Sequence, residues 1–391
     1  MYFRKIYPLL AEHLKERQIT VLTGMRRTGK TTLIKELLNN IKSSNKLYLD
    51  LERLDNRDIF SQRNYEAILN SLKQYGITTN KQAYIALDEI QLAPGLPSAI
   101  KYLYDHYQIK FIITGSSSYY LKNFFTESLA GRKKVFELST LDFSEFLTFK
   151  NVPHADEPFI SKKFNSAEFN RLSSYYEEYV NYGGFPEVAL ADDIKTKKDL
   201  LYDIFDSYIK IDVKTLADFR DLANLEKLLK LLAARVGAKL DYAKLSRLTG
   251  ISRTTAVNYI DFLEKTYMIF RLPVHSKSPD REIVKAPKLY FCDNGLLGIL
   301  AEISGGAKFE NAVFNQLKTG RGLKYYSLKT GKEIDFIING RLALEIKESP
   351  LANDLKSLRD LAVMAKVKES RLIGRYQVPN FSEYIWAGEI R

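Results

Sequence analysis

The sequence predicts a multi-domain α/β chain, and three stretches predict it. Near the N-terminus a glycine-rich loop is set between a β-branched strand and a helix; near residue 250 lies a helix-turn-helix pattern; near residue 340 lies an amphipathic β-hairpin. At 391 residues, with 45% hydrophobic and 27% charged residues, the chain has material for two to four globular domains. The single cysteine, Cys292, excludes a disulfide framework and suggests a reducing compartment, and four histidines with one cysteine argue against a zinc cluster. No apolar run reaches the roughly 18 residues a membrane span needs, and "MYFRKIYPLLAEHLKERQ" lacks a signal-peptide core. The expectation is a cytoplasmic protein without a membrane partner. A formal charge of +12 favours polyanionic partners, nucleic acid first.

Residues 18–32 read "QITVLTGMRRTGKTT", followed by the helical "TLIKELLNNI". The pattern Gly24-x-x-x-x-Gly29-Lys30-Thr31, in its strand-loop-helix context, is a phosphate-binding loop. Glycines let backbone N–H groups wrap phosphates at a helix N-terminus. Lys30 is placed to meet the β and γ phosphates of ATP and Thr31 to hold Mg²⁺, with Arg27, Thr28 and Thr32 completing the nucleotide-binding set. A second element fits the first. "AYIALDEIQ" is a buried-strand run ending in Asp88-Glu89, where Asp88 is expected to hold Mg²⁺ through water and Glu89 to deprotonate the attacking water. The next apolar strand, "KFIITGSSS", ends in Thr114 and Ser116, hydroxyls placed to sense the γ-phosphate.

"SLAGRKKVFEL" then gives a helix end, Gly131-Arg132 and a further strand. With these motifs in place, residues 1–150 resemble an AAA+-type (ASCE) P-loop ATPase core. In that family an arginine just before the fifth strand often reaches the neighbouring subunit's nucleotide, and Arg132 stands there, which implies a homo-oligomer. The family usually carries Asn at the sensor position; this chain has Ser116.

Residues 151–222 are helical and charged, interrupted by "NYGGFPEV", where Gly183-Gly184 and Pro186 stop a helix or form a hinge. By resemblance this region is a helical lid. Residues 223–292 contain "AKLSRLTGISRTTAVNYIDFLEKTYMIFRL": a helix over 242–248, a turn carrying Gly250, then Ser252 as N-cap of a second helix with Val257, Ile260 and Leu263 inward. Extended segments at 268–272 and 288–291 would form a wing. The second helix presents Arg253, Thr254, Thr255 and Asn258 as candidate DNA contacts. Residues 236–292 hold ten Lys or Arg against five acids, a local excess that supports DNA binding.

Residues 293–391 begin with a helix, "AKFENAVFNQL", whose apolar face is Phe309, Val313 and Leu317 with Glu310 beside it. The hairpin "KEIDFIINGRLALEIKES" follows. Hydrophobic patterning disfavours a two-residue turn at Asn339-Gly340 and favours a three-residue loop, Ile338-Asn339-Gly340, pairing Ile337 with Arg341 and Glu333 with Glu345. That register puts Ile334, Phe336, Leu342, Leu344 and Ile346 on one side, and Glu333, Asp335, Glu345 and Lys347 on the other. The hairpin is then either solvated on its charged face or a site. An acidic residue on a first helix, then Asp335, then Glu345-x-Lys347 resembles the PD-(D/E)xK fold of restriction enzymes and junction resolvases. The resemblance implies Glu310, Asp335 and Glu345 as Mg²⁺ ligands and Lys347 as a catalytic lysine. The whole chain resembles a widespread prokaryotic group joining an AAA+-like core, a winged helix and a restriction-endonuclease-like domain of unknown function. Its marks are "GMRRTGKTT", "ALDEIQ", "TGSSS", "SLAGR", "GGFPE", "KAPKLYFCDNGLL" and "EIDF…LEIK". The implied function is an Mg²⁺-dependent ATPase that binds DNA, with either a metal-dependent nuclease at the C-terminus or a nuclease-like domain that serves a binding or interaction switch without cleaving.

Overall fold

The computed structural model describes residues 4–93, 95–116, 129, 131–155, 163–214, 222–276 and 278–390. The Ser117-Ser118 end of "TGSSS" and most of the segment leading into Gly131 lie outside these residues. Contacts gather the chain into two compact units. The first is Met1–Ser139 with Ser207–Asp218 and Lys265–Tyr267; the second is Thr140–Asp206, Phe219–Glu264 and Met268–Arg391. The boundaries expected at 150, 222 and 292 all fall inside the second unit.

In the first unit, strands Ile19–Thr23 (β1), Lys46–Asp50 (β2), Ala83–Asp88 (β3), Ile109–Gly115 (β4) and Lys133–Glu137 (β5) form one parallel sheet in the order β2-β3-β4-β1-β5. The central strands read as continuous apolar runs because helices cover both faces. Their alternation is visible in the packing. Ile19, Val21, Ile85, Leu87, Phe111 and Ile113 share one core with Ile59, Leu69 and Ile100. Leu22, Ala86 and Ile112 share the other with Leu33, Ile34 and Leu37, from the helix Lys30–Asn40. Because all five strands run the same way, their C-terminal ends form one edge, where ligands of such sheets bind. With β4 between β1 and β3, Thr114 and Ser116 stand between the phosphate loop and the acidic pair.

The second unit has the predicted helix-turn-helix: helices Tyr242–Thr249 and Arg253–Lys265, the latter's final lysine excepted, joined through Gly250 in the left-handed conformation. Asp241 caps the first helix at Lys244 N, and the Ser252 hydroxyl accepts from Thr255 N at 3.0 Å. One inward position differs from expectation. Ala256, Ile260 and Leu263 are buried, whereas Val257 is only half-buried, one step round the helix. Strands Ile269–Leu272 (β6) and Lys288–Phe291 (β7) pair antiparallel.

A second five-stranded sheet is built from Lys324–Ser327 (β8), Glu333–Ile338 (β9), Leu342–Lys347 (β10), Glu369–Gly374 (β11) and Ile385–Trp386 (β12), in the order β12-β11-β10-β9-β8. The β9–β10 hairpin departs from the expected register. Asn339 and Gly340 both take positive φ, Arg341 N donates to Ile338 O at 2.9 Å, and the ladder resumes as Ile338↔Leu342 and Leu344↔Phe336. The extra residue is Arg341 rather than Ile338. The offset is still odd, and continuing the register brings Asp335 across from Glu345.

The expected apolar side is also revised. The β8–β9 register slips between Tyr326↔Ile334 and Lys324↔Ile337, a bulge at Asp335-Phe336. Ile334 therefore joins Ile337 and Ala343 in a core with Leu355, Leu358 and Leu361 of the helix Ala352–Ala365. Phe336 packs against Tyr290 and Phe314 instead.

Candidate functional site

The phosphate loop follows β1. Gly24 has φ +149°, and a Cβ there would lie 2.1 Å from the Leu138 carbonyl oxygen, so the loop's first position admits only glycine. Gly29, at φ +94°, turns the loop into the helix beginning at Lys30. Thr28 is fully buried and its hydroxyl donates to Met25 O at 2.8 Å, which fixes the loop from inside. The Lys30 ammonium lies within the loop, 2.9 Å from the carbonyl oxygens of Gly24 and Met25. Burial lowers its pKa, against the opposing pull of Glu89 and Asp212. Thr31 is half-buried at the start of the helix, and Thr32 and Arg27 are exposed beside it.

The acidic strand supplies the other wall. Asp88 accepts from the Thr114 hydroxyl and, at 2.8 Å, from Tyr48, whose pKa is raised by burial and by Asp88. Glu89 holds a left-handed backbone, φ +56°, and its N–H donates to Thr114 Oγ1 at 3.0 Å. Such a conformation in a non-glycine residue costs on the order of 1 kcal/mol and persists where surroundings impose it. The hydroxyl of Thr114 thus ties together the two acids' positions.

From Glu89 a polar chain runs on. Gln91 Nε2 donates to the Glu89 carboxylate and, at 3.1 Å, to Ser116 Oγ. Ser116 Oγ donates to Asp212 Oδ1 at 2.7 Å, and Arg26 Nε donates to Asp212 Oδ2 at 3.1 Å. Sequence reasoning missed Arg26, Gln91 and Asp212. Arg26 and Gln91 lie within the very motifs that were singled out, whereas nothing local marks Asp212, 186 residues from its partner Arg26.

Arg132 stands elsewhere. It immediately precedes β5, whose Lys133 pairs with Ile19 at the start of β1, so the length of β1 separates it from the loop, roughly 13 Å. Its guanidinium is ion-paired to Asp105, Nε to Oδ1 2.9 Å.

In the second unit, the structure gathers Glu310 and Asp335 around a residue sequence reasoning counted only as wing charge. The Lys288 ammonium, 2% exposed, lies 2.8 Å from Glu333, 3.3 Å from Asp335 and 3.5 Å from Glu310. Burial opposes its charge, but Asp335, Glu310 and Glu333 outweigh burial and raise its pKa. The Tyr290 hydroxyl donates to Glu310 Oε1 at 2.6 Å. Asp335 Oδ2 accepts the Ile346 N–H at 2.9 Å. Glu345 pairs with Lys347 at 2.8 Å, and among the described residues Glu345 Oε2 is buried without a partner. Burial raises the pKa of both Glu310 and Glu345, and Asp335 raises it further.

The four expected groups are thus neighbours, but as placed they do not fit a divalent ion. The positive charge shared by Glu310, Asp335 and Glu333 is already an ammonium, and among the described residues no group of three or more His, Cys, Asp or Glu is arranged to hold a metal. Lys288 could have been suspected from "KLYF", since Lys288 and Tyr290 alternate onto one face of a strand.

The candidate DNA contacts Arg253, Thr254 and Asn258 are exposed, while Thr255 is engaged with Ser252. The basic excess of this region shrinks in three dimensions. Lys288 faces three carboxylates, Arg271 pairs with Asp261 and Glu264, and Lys239 with Glu333. Among the described residues, no helix is long and apolar enough to cross a membrane.

Two family models match the chain, one described as an AAA domain over residues 16–147 and one as a domain of unknown function (DUF8612) over residues 173–306. An uncharacterized protein of Methanocaldococcus jannaschii is 28% identical over 360 residues, covering 87% of this chain and 78% of that one. An uncharacterized protein of Haemophilus influenzae is 28% identical over 336 residues, covering 82% and 79%. Among solved structures, the ADP form of the Aeropyrum pernix ORC2 protein is similar at 14% identity and a TM-score of 0.39, over 69% of this chain and 87% of that one. The residues matched by the AAA-domain model are the ones that form the parallel β1–β5 sheet and the phosphate loop, so this α/β core is similar to an AAA domain.

Proposed function

We propose that the chain is an Mg²⁺-dependent ATPase whose nucleotide cycle controls engagement of DNA, and that its C-terminal domain binds without cleaving. One observation carries the ATPase reading: Lys30, Asp88 and Glu89 stand on one edge of a parallel sheet, with Thr114 between the two acids. The donor set suits a nucleoside triphosphate with Mg²⁺. Backbone N–H groups from Gly24 to Lys30 and the Lys30 ammonium would hold phosphates, and Thr31 and Asp88 would hold the ion, which when bound offsets charge on the phosphates. Glu89, buried and fixed through Thr114 and Gln91, is the acceptor for a water's proton. Lys30→Ala or Glu89→Gln is expected to abolish phosphate release with Mg²⁺-ATP. Turnover retained in both variants would refute the assignment.

Arg132 lies too far along the sheet to serve its own nucleotide, which favours service in trans within a homo-oligomer. Loss of turnover in Arg132→Ala, restored by mixing with a Lys30→Ala chain, would support shared sites.

The helix-turn-helix with paired β6 and β7 is read as a winged helix, with Arg253, Thr254 and Asn258 exposed toward DNA. Salt-sensitive binding that Arg253→Ala weakens is the expected result. The β8–β12 sheet with Glu310, Asp335, Glu345 and Lys347 is read as a PD-(D/E)xK-like domain, and Lys288 is the observation that favours the non-cleaving form. Incubation with linear, branched and single-stranded DNA in Mg²⁺ or Mn²⁺ decides it. Cleavage by the wild type that Lys347→Ala removes would sink this part.

A further inference from the structure

Asp212 has no place in the phosphate-loop, acidic-pair or sensor motifs, yet it is 3% exposed and lies among them. It sits on the π-helical turn Tyr208–Val213, which belongs to the same compact unit as the phosphate loop. Widened turns of this kind recur at functional sites. Here the Asp212 side chain makes two bonds. Oδ1 accepts from Ser116 and Oδ2 from Arg26, the third residue of the loop Gly24–Thr31.

On the ATPase reading both partners lie beside the groups that would handle a terminal phosphate: Arg26 belongs to the phosphate loop, and Ser116 is bonded through Gln91 to Glu89. Arg26 and Asp212 are each close enough to perturb the charge of Lys30, and Glu89 perturbs both Lys30 and Arg26, so the loop lysine, the general base, Arg26 and Asp212 share one small volume. A γ-phosphate held by Lys30 would bring negative charge into that volume. A carboxylate and a phosphate are both anions, and they compete for one guanidinium and one hydroxyl. Diphosphate, which ends one phosphoryl group earlier, meets this competition far less.

We infer that Asp212 is a specificity-determining residue for the terminal phosphate: its carboxylate competes with the γ-phosphate for Arg26 and Ser116, and so sets the ratio of ATP to ADP affinity. This rests on the ATPase reading above and deepens it. The competition also bears on Glu89. Ser116 accepts from Gln91, which in turn donates to Glu89, so freeing Ser116 from Asp212 lets the hydroxyl and Gln91 reorient together beside the general base. Among the described residues Gln91 Oε1 is buried without a partner, and it is the acceptor available for such a change.

The test is equilibrium binding of the full chain to AMPPCP and to ADP, each with Mg²⁺. Asp212→Asn keeps size and hydrogen bonding but removes the competing charge. It is expected to tighten AMPPCP binding by about tenfold, near the worth of one such competitor, while ADP affinity stays within about twofold. In an Arg26→Ala background, Asp212→Asn should give a smaller gain, since only Ser116 is still contested. In a Ser116→Ala background, which lacks one of the two contested groups, the gain from Asp212→Asn should likewise be smaller. Equal tightening for both nucleotides, or weaker AMPPCP binding in a folded Asp212→Asn chain, would overturn the role. A wild type that binds neither nucleotide overturns the ATPase reading itself, a distinct result.

Discussion

Asp293 accepts the backbone N–H of Gly184 through Oδ2 at 2.7 Å, joining two stretches 109 residues apart within one compact unit. Its other oxygen caps the helix Asn294–Leu300, accepting from Gly295 N and Leu296 N at 2.8 and 3.2 Å. Gly183, at φ +78°, ends the helix Ser166–Tyr182 and lets the carboxylate approach. The "GGFPE" stretch is therefore a helix stop pinned from two sides, because Leu141 N also donates to Gly184 O at 2.7 Å.

That packing makes Gly184→Ala severe. A Cβ there would lie 2.2 Å from the Leu141 carbonyl oxygen, and the three nearest atoms are all Leu141 main chain, which leaves nothing flexible to yield. A loss of more than about 3 kcal/mol in denaturant unfolding is expected. Gly331→Ala is the control: at φ +89° with nothing within 4 Å of its Cβ, it should cost only about 1 kcal/mol. Similar losses in the two variants would refute the close-approach explanation.

Burial raises the Asp293 carboxyl to about 6, against the hydrogen bonds from Gly184, Leu296 and Gly295. The folded pKa lies above the unfolded value of about 3.9, so between these values the folded chain binds more protons than the unfolded one. Stability from this group is then greatest below about pH 4 and falls as pH rises toward 6. Asp293→Asn removes the titration. Its stability deficit relative to wild type should be smaller at pH 7 than at pH 4.5, read from urea midpoints. A larger deficit at neutral pH would mean that the accepted N–H bonds outweigh burial and that the sign is reversed.

What could be read from the chain divides by sequence distance. The phosphate loop, the Asp88-Glu89 pair and the odd offset of the hairpin rest on neighbours in sequence, where pleat and turn chemistry act directly. The hairpin slipped only in which residue is extra, because Asn339 tolerates positive φ and moves the irregularity on to Arg341. The bulge at Asp335-Phe336 was hidden, since it is imposed from β8, and it sends Ile334 and Phe336 to different cores. Asp212 was beyond reach for the same reason, and Lys288 was marked only by sharing a strand face with Tyr290. Each is an unremarkable charge in its own segment and acquires meaning only from partners brought in by folding.

Lys288 offers the sharpest check on the C-terminal cluster. Its ammonium is the nearest positive charge shared by Glu310, Glu333 and Asp335, and Lys288→Met leaves those acids with a buried apolar chain of similar length. Breaking one side of a buried ionic set costs about 3–5 kcal/mol because the remaining charges lose their counter-ion. The variant should therefore melt well below wild type at pH 8 and recover part of the loss at pH 5.5, where Glu310, whose pKa burial and Asp335 raise, takes up a proton more readily. If the lysine stands where a cation belongs, Mn²⁺ or Mg²⁺ should raise the melting temperature of Lys288→Met in a concentration-dependent way and leave wild type unchanged. A Lys288→Met chain as stable as wild type and indifferent to metal would show that the carboxylates need no shared cation. Metal stabilising the wild type equally would return Glu310, Asp335 and Glu345 to the role of metal ligands.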